Sequence, residues 1–165
     1  MKGAKVKCSI DANYVFDLDT GGILDCPPYL GYTFLMANFI AHEIATISHE
    51  RLRLCGMQIA DLEPGQVSEI YELLREHRGL SYRDLAAFVL ARDTQSILVT
   101  GDGHLRTMAG ENDIECHGTL WILDALVDAG ILTGPRAADA LRTMQANNRW
   151  LPKTECDARI RTWRP

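Results

Sequence analysis

Lysine is almost missing from this chain: after Lys7 none occurs until Lys153. Chemistry that relies on a lysine to steady a transferred phosphoryl group has no candidate across that stretch. Cysteine is sparse and unpatterned. Cys8, Cys26, Cys55, Cys116 and Cys156 are odd in number and never spaced as C-x-x-C, which argues against a disulfide framework and a structural zinc site alike. They read as small buried hydrophobes in a reducing compartment. No apolar run approaches the roughly 20 residues that span a bilayer, and the opening MKGAKVKCSIDANYVF is too interrupted by polar residues for a signal peptide. A cytoplasmic location is the expectation. Repeats, low-complexity tracts and linkers are absent too, so residues 1–165 read as a single domain, long enough to bury roughly 70% of the surface of its unfolded chain.

The net charge is −5, which by itself disfavours a nucleic-acid partner, but the charge is uneven. Residues 1–135 hold 10 Lys and Arg against 19 Asp and Glu, whereas residues 136–165 hold 7 against 3. The acidic part can concentrate cations. The basic tail (Arg136, Arg142, Arg149, Lys153, Arg159, Arg161, Arg164) can meet phosphates or an acidic partner, or simply form a solvated helical face.

Short apolar runs alternate with amphipathic stretches, the pattern of crossover units on a parallel sheet. Strands are expected at Ala4 to Ile10, Thr33 to Met36, Met57 to Ala60 and Ile97 to Thr100, with a last one at Ile114 to Cys116. Between them, helices are expected from Asn13 to the Gly21-Gly22 stop and from an Asn38 cap through Ile44 and Ile47. Others should run from Pro64 to His77, from Tyr82 to Asp93, and onward from the Gly101-Asp102-Gly103 turn. Thr119 should cap a further helix ending at Gly130, Pro135 opens another, and Lys153 to Trp163 reads as the closing one.

Ligands of open α/β sheets bind beyond the carboxyl ends of the strands. Asp11 directly follows the first strand and Asp102 lies two residues past Thr100. Taken singly, each is better explained as a turn or capping residue. Asp84 closes Ser81-Tyr82-Arg83-Asp84, which fits a capping box, yet it opens the helix that feeds the strand leading to Asp102. Glu43 interrupts the apolar stretch from Phe39 to Ala45, and is either an exposed glutamate or a further ligand over the strand ends. Gathering such groups has a cost, since like charges about 4 Å apart repel by on the order of 4 kcal/mol at an effective dielectric near 20. A hard cation, Mg²⁺ or Mn²⁺, would offset it.

The ordered set of Ser9-Ile10-Asp11-Ala12-Asn13, then Glu43, then Leu80-Ser81-Tyr82-Arg83-Asp84-Leu85-Ala86, then Val99-Thr100-Gly101-Asp102 resembles the PIN-domain family. The resemblance implies a three-layer α/β/α fold with a mainly parallel central sheet, covering about residues 5–118, and residues 119–165 read as an added C-terminal helical region. It implies a Mg²⁺- or Mn²⁺-dependent ribonuclease, with Asp11, Glu43, Asp84 and Asp102 as metal-holding carboxylates. Thr100 and Asn13 would orient a carboxylate or a water, and the implied reaction is hydrolysis of RNA phosphodiesters by water at the metal. The family includes toxins of toxin-antitoxin pairs, so the resemblance leaves room for an antitoxin protein as partner and for a homodimer. The extended C-terminal region resembles uncharacterised PIN-like proteins and leaves room for another role.

Other readings are weaker. His42-Glu43 begins a zinc-protease motif, but Thr46 occupies the second histidine position. Gly101-Asp102-Gly103 lacks the residues of a phosphate loop. His104 and His117 read as surface or capping residues, and Trp121, Ile122 and Leu126 as core. A haloacid-dehalogenase-like phosphatase is suggested by Val15-Phe16-Asp17-Leu18-Asp19-Thr20, but the missing lysine opposes it, and Asp17 and Asp19 are expected to be exposed. A PIN-like module that binds nucleic acid or protein without cutting is the non-enzymatic alternative.

Overall fold

The computed structural model describes residues 5–164. Strands β1 (Lys7–Ile10), β2 (Thr33–Ala37), β3 (Met57–Ala60), β4 (Ile97–Val99) and β5 (Cys116–His117) form one sheet in the order β3-β2-β1-β4-β5. Every neighbouring pair is parallel. The short central strands are nearly all apolar because both faces are covered: Cys8, Ile10, Phe34, Met36, Leu98 and Val99 are fully buried. The helices are α1 (Ala12–Thr20), α2 (Asn38–Glu43), α3 (His49–Leu54), α4 (Pro64–Glu76), α5 (Tyr82–Thr94), α6 (Gly103–Glu111), α7 (Thr119–Asp128), α8 (Gly134–Ala146) and α9 (Lys153–Trp163). This is a three-layer α/β/α arrangement around a parallel sheet. Among the described residues no helix is long and apolar enough to cross a membrane.

The order of strands creates the site. From β1 the chain winds outward through β2 to β3, then crosses back to lay β4 on the other side of β1. The direction of winding therefore reverses between β1 and β4, where Ile10 pairs with Val99. A crevice opens beyond the carboxyl ends of the two strands at such a point. Helix α5 crosses back from β3 toward the start of β4, so its first turn lies at that same end. It is buried from Leu85 through Ala91, and the Ser9 hydroxyl donates to the Ala87 carbonyl at 2.8 Å, tying β1 to the middle of the helix.

Several expected boundaries differ. Ala4, expected to open the first strand, lies outside the described residues, and β1 starts at Lys7, beyond Lys5 and Val6. The helix expected from Asn38 through Ile47 ends at Glu43. Ile44 takes extended backbone, and Ser48 caps a separate α3 by accepting from the Arg51 N–H. Ile44 and Ile47 are still buried, so their spacing met the core without a helix to carry it. The last strand is Cys116–His117, a step later than expected, and the residue capping α7 is Gly118, because the Thr119 hydroxyl is bonded to Asp17.

Candidate active site

Asp11 is the residue after β1 and the N-cap of α1, and only 5% of it is exposed. Its Oδ1 accepts from the Tyr14 N–H at 3.0 Å and its Oδ2 from the Thr100 hydroxyl at 2.8 Å. The same hydroxyl oxygen accepts from the Asp102 N–H at 3.2 Å. Thr100 therefore fixes the carboxylate of one strand end against the turn that follows the other. Burial pushes the Asp11 carboxyl up from 3.8 to about 6; the Tyr14 and Thr100 bonds oppose the rise, and the charges of Asp17 and Asp84 add to it. Among the described residues no arginine or lysine pairs with Asp11.

Asp102 and Asp84 also open helices. Asp102 is the N-cap of α6, its Oδ1 accepting from the Leu105 N–H at 2.8 Å. Asp84 stands in the capping box of α5, where its Oδ2 accepts from both the N–H and the hydroxyl of Ser81 at 2.8 and 2.7 Å. Each bond set uses one carboxylate oxygen and leaves the other, Asp102 Oδ2 or Asp84 Oδ1, without a hydrogen bond among the described residues. Glu43 ends α2 and is exposed, paired with Arg83 at 2.9 Å.

A cleft of about 490 Å³ lies over the β1 and β4 ends. Asp11, Asn13, Thr100 and Asp102 line it; Glu43 and Asp84 do not. Among the described residues no three His, Cys, Asp or Glu side chains stand close enough together to hold a metal ion by themselves. The fold thus brings Asp11 and Asp102 to one cleft with Thr100 between them and sets Asp84 near enough to act on the Asp11 charge. Glu43 stays on the surface.

The opposite wall comes from the C-terminal helices and holds residues that sequence reasoning did not place. Asp17 was expected to be exposed. Instead it is 5% exposed, with Arg149 Nε donating to Oδ1 at 2.6 Å and the Thr119 hydroxyl to Oδ2 at 2.7 Å. Burial raises its carboxyl above the ordinary value although Arg149 and Thr119 pull the other way. The clue lay in helical spacing: Asp17 shares a face of α1 with the buried Tyr14 and Leu18. Asn13 accepts from Arg149 Nη2 at 3.1 Å, so its side chain serves that arginine rather than a carboxylate. A phosphatase nucleophile at Asp17 does not fit this placement, inside α1 and closed by an ion pair. Trp121, read as core, is only partly buried and lines the cleft, whereas Ile122 and Leu126 are fully buried.

A family model described as a PIN domain, DUF3368, matches residues 8–164. The chain belongs to the PIN-domain family. The matched span includes the C-terminal helices that build the second wall of the cleft. Comparison with curated proteins and with solved structures gives no match. PIN domains are generally nucleases and typically use divalent metals.

Proposed function

We propose that this PIN domain is a Mg²⁺- or Mn²⁺-dependent ribonuclease whose metal is held first by Asp11 and Asp102. The observation that carries the reading is Asp11: a buried carboxylate, aimed by Thr100 and Tyr14, with no cationic side chain among the described residues to balance it. Asp17, equally buried six residues on, has Arg149. The donors suit the ion. Mg²⁺ takes hard oxygens, keeps several waters, and is commonly bound through one or two carboxylates plus substrate phosphates.

A bound Mg²⁺ or Mn²⁺ would polarise the phosphate and acidify a water. The protein's part is positional. Thr100 and Tyr14 hold the Asp11 carboxylate so that little reorganisation is needed on binding, and the α6 cap holds Asp102. Asp84 contributes negative potential and keeps Oδ1 available. Glu43 completes the quartet only if it leaves Arg83. Both partners of that ion pair are about half exposed, and such pairs contribute at most about 1 kcal/mol, so leaving costs little.

The test is cleavage of a panel of single-stranded and structured RNAs in Mg²⁺, Mn²⁺ or EDTA by wild type, Asp11→Asn and Asp102→Asn. Cutting should require metal and fall at least a hundredfold in both variants. Cutting that persists in EDTA would overturn the reading. The toxin of a toxin-antitoxin pair is a narrower form of the same function. Expression of wild type, but not of Asp11→Asn, would then arrest growth until an antitoxin protein is supplied.

The engagement of Glu43 by Arg83 and of Asp84 by Ser81 favours one other reading, a PIN-like module that binds RNA without cutting. RNA binding that needs no metal, with no cleavage of any panel member, would select it.

A further inference from the structure

Three arginines line the cleft, and two are neutralised. Arg149 pairs with Asp17, and Arg159 makes two bonds to Asp124 at 2.8 and 2.7 Å. Arg106 has no carboxylate partner among the described residues. It stands one helical turn beyond Asp102 on α6, exposed, with Nη2 donating to the Thr100 carbonyl at 3.3 Å. The same nitrogen lies beside the Gly118 backbone, where a Cβ would stand 3.5 Å away in ordinary contact, so the guanidinium rests across the β4–β5 end. An unpaired, oriented guanidinium beside metal-holding carboxylates suits a phosphate, which its planar fork can bind through two hydrogen bonds.

Three rings are stacked, two of which, Trp121 and His117, line the same cleft as Arg106. Tyr32 lies against Trp121 with centroids 5.9 Å apart, and Trp121 against His117 at 4.5 Å and 8°. Trp121 therefore has two ring partners. His117 ends the ladder. Trp121 is its one stacking partner among the described residues, its side chain is 32% exposed, and it lines the cleft. Glu115 holds its Nε2 at 2.8 Å, so the ring is fixed in orientation. A partly exposed ring that lines the cleft at the end of a preformed stack is a place for one more planar group, and nucleobases stack on aromatic rings regardless of sequence.

Thr100 joins these features to the carboxylates. Its hydroxyl holds Asp11, its carbonyl takes Arg106, and its N–H donates to the His117 carbonyl at 2.9 Å. The spacing between the cutting site and the Arg106–His117 pair is set by one buried residue. We infer that Arg106 and His117 form a nucleotide subsite for single-stranded RNA, in which Arg106 grips a backbone phosphate and an unpaired base stacks on His117. The subsite rests on the nuclease reading and narrows it to substrates with an unpaired nucleotide beside the cut, because a base within a duplex has no free face to offer.

Fluorescence anisotropy of a labelled single-stranded RNA and of a hairpin stem, in EDTA and in Ca²⁺, tests this. Wild type should bind the single strand more tightly than the stem. Arg106→Gln should weaken single-strand binding about tenfold and flatten its salt dependence by about 0.7 in log–log slope, the share of one phosphate on a single strand. His117→Ala should weaken it by a factor of about ten without changing that slope, within the range for one lost base stack, and His117→Phe should restore it. Variants that bind like wild type, or a stem bound as tightly as the single strand, would overturn the subsite and leave the cleavage reading standing. A wild type that binds no RNA in either condition would overturn the nuclease reading and the subsite with it.

Discussion

Asp11 and Asp17 lie on the same helix segment, each 5% exposed, and differ in what stands beside them. Arg149 answers Asp17, whereas Asp11 has two neutral donors and no cation among the described residues. The consequence is a pH-dependent cost. Asp11's carboxyl is raised in the folded protein from 3.8 to about 6, so folding favours its neutral form. Well below pH 3.8 the group is protonated in both states and costs nothing. As pH rises past 6 the folded state must carry a buried charge, at a cost on the order of 2–3 kcal/mol by the usual 1.36 kcal/mol per pH unit. Urea denaturation in EDTA should therefore find Asp11→Asn more stable than wild type at pH 8, with most of the advantage gone at pH 4. An advantage that is the same at both would mean that Asp11 carries no such burden. Of this contrast, the identity and place of Asp11 are legible in the sequence, because a strand end followed by a helix start is a local pattern. The ion pair that distinguishes Asp17 is not, because it joins residues 132 positions apart through the loop between α8 and α9.

At the scale of elements, three helices begin around the crevice, and each starts with an aspartate in its first turn or at its cap: α1 with Asp11, α5 with Asp84, α6 with Asp102. Helix N-termini carry unsatisfied N–H groups and partial positive charge, which favours carboxylates there. The same side chains thus serve the helices and present negative charge near the strand ends. For Asp84 the two roles separate by atom, since Oδ2 takes both Ser81 bonds. Asp84→Asn should lower stability by about 1 kcal/mol, the typical worth of a helix cap, measured as a shift in the urea midpoint. A loss several times larger would mean that Asp84 holds more than the start of α5. The capping box was readable from four consecutive residues. The break after Glu43 was not: the apolar spacing continues through Ile44 and Ile47 while the backbone leaves the helix, and periodicity alone cannot see that Ser48 begins anew.

For the molecule as a whole, the parallel sheet and its reversal between β1 and β4 follow from strand order, which the alternation of apolar runs and helices foreshadows without fixing. The basic tail is where sequence and structure part most. Six of its seven cations, all but Arg161, have partners within the described residues: Arg136 the Gly21 and Gly22 carbonyls, Arg149 and Arg159 carboxylates of α1 and α7, and Arg142, Lys153 and Arg164 carboxylates at the surface. Charge counted along the chain left the tail as a surface for phosphates or an acidic partner or as a solvated helical face; the partners of Arg136, Arg149 and Arg159 become visible only when α8 and α9 are folded against α1 and α7. The tail works instead as the second wall of the cleft, leaving Arg106, from the acidic part of the chain, as the cleft arginine without a carboxylate partner among the described residues. Burial of an unbalanced Asp11 beside that wall makes sense if a cation completes it, and this can be tested without knowing the RNA. The measurement is calorimetric titration of Mn²⁺ into metal-free wild type, Asp11→Asn and Asp17→Asn at pH 7.5. Saturable binding in wild type and Asp17→Asn, with at least tenfold weaker binding in Asp11→Asn, is the expected result. Equal Mn²⁺ affinity in wild type and a folded Asp11→Asn variant would contradict the account.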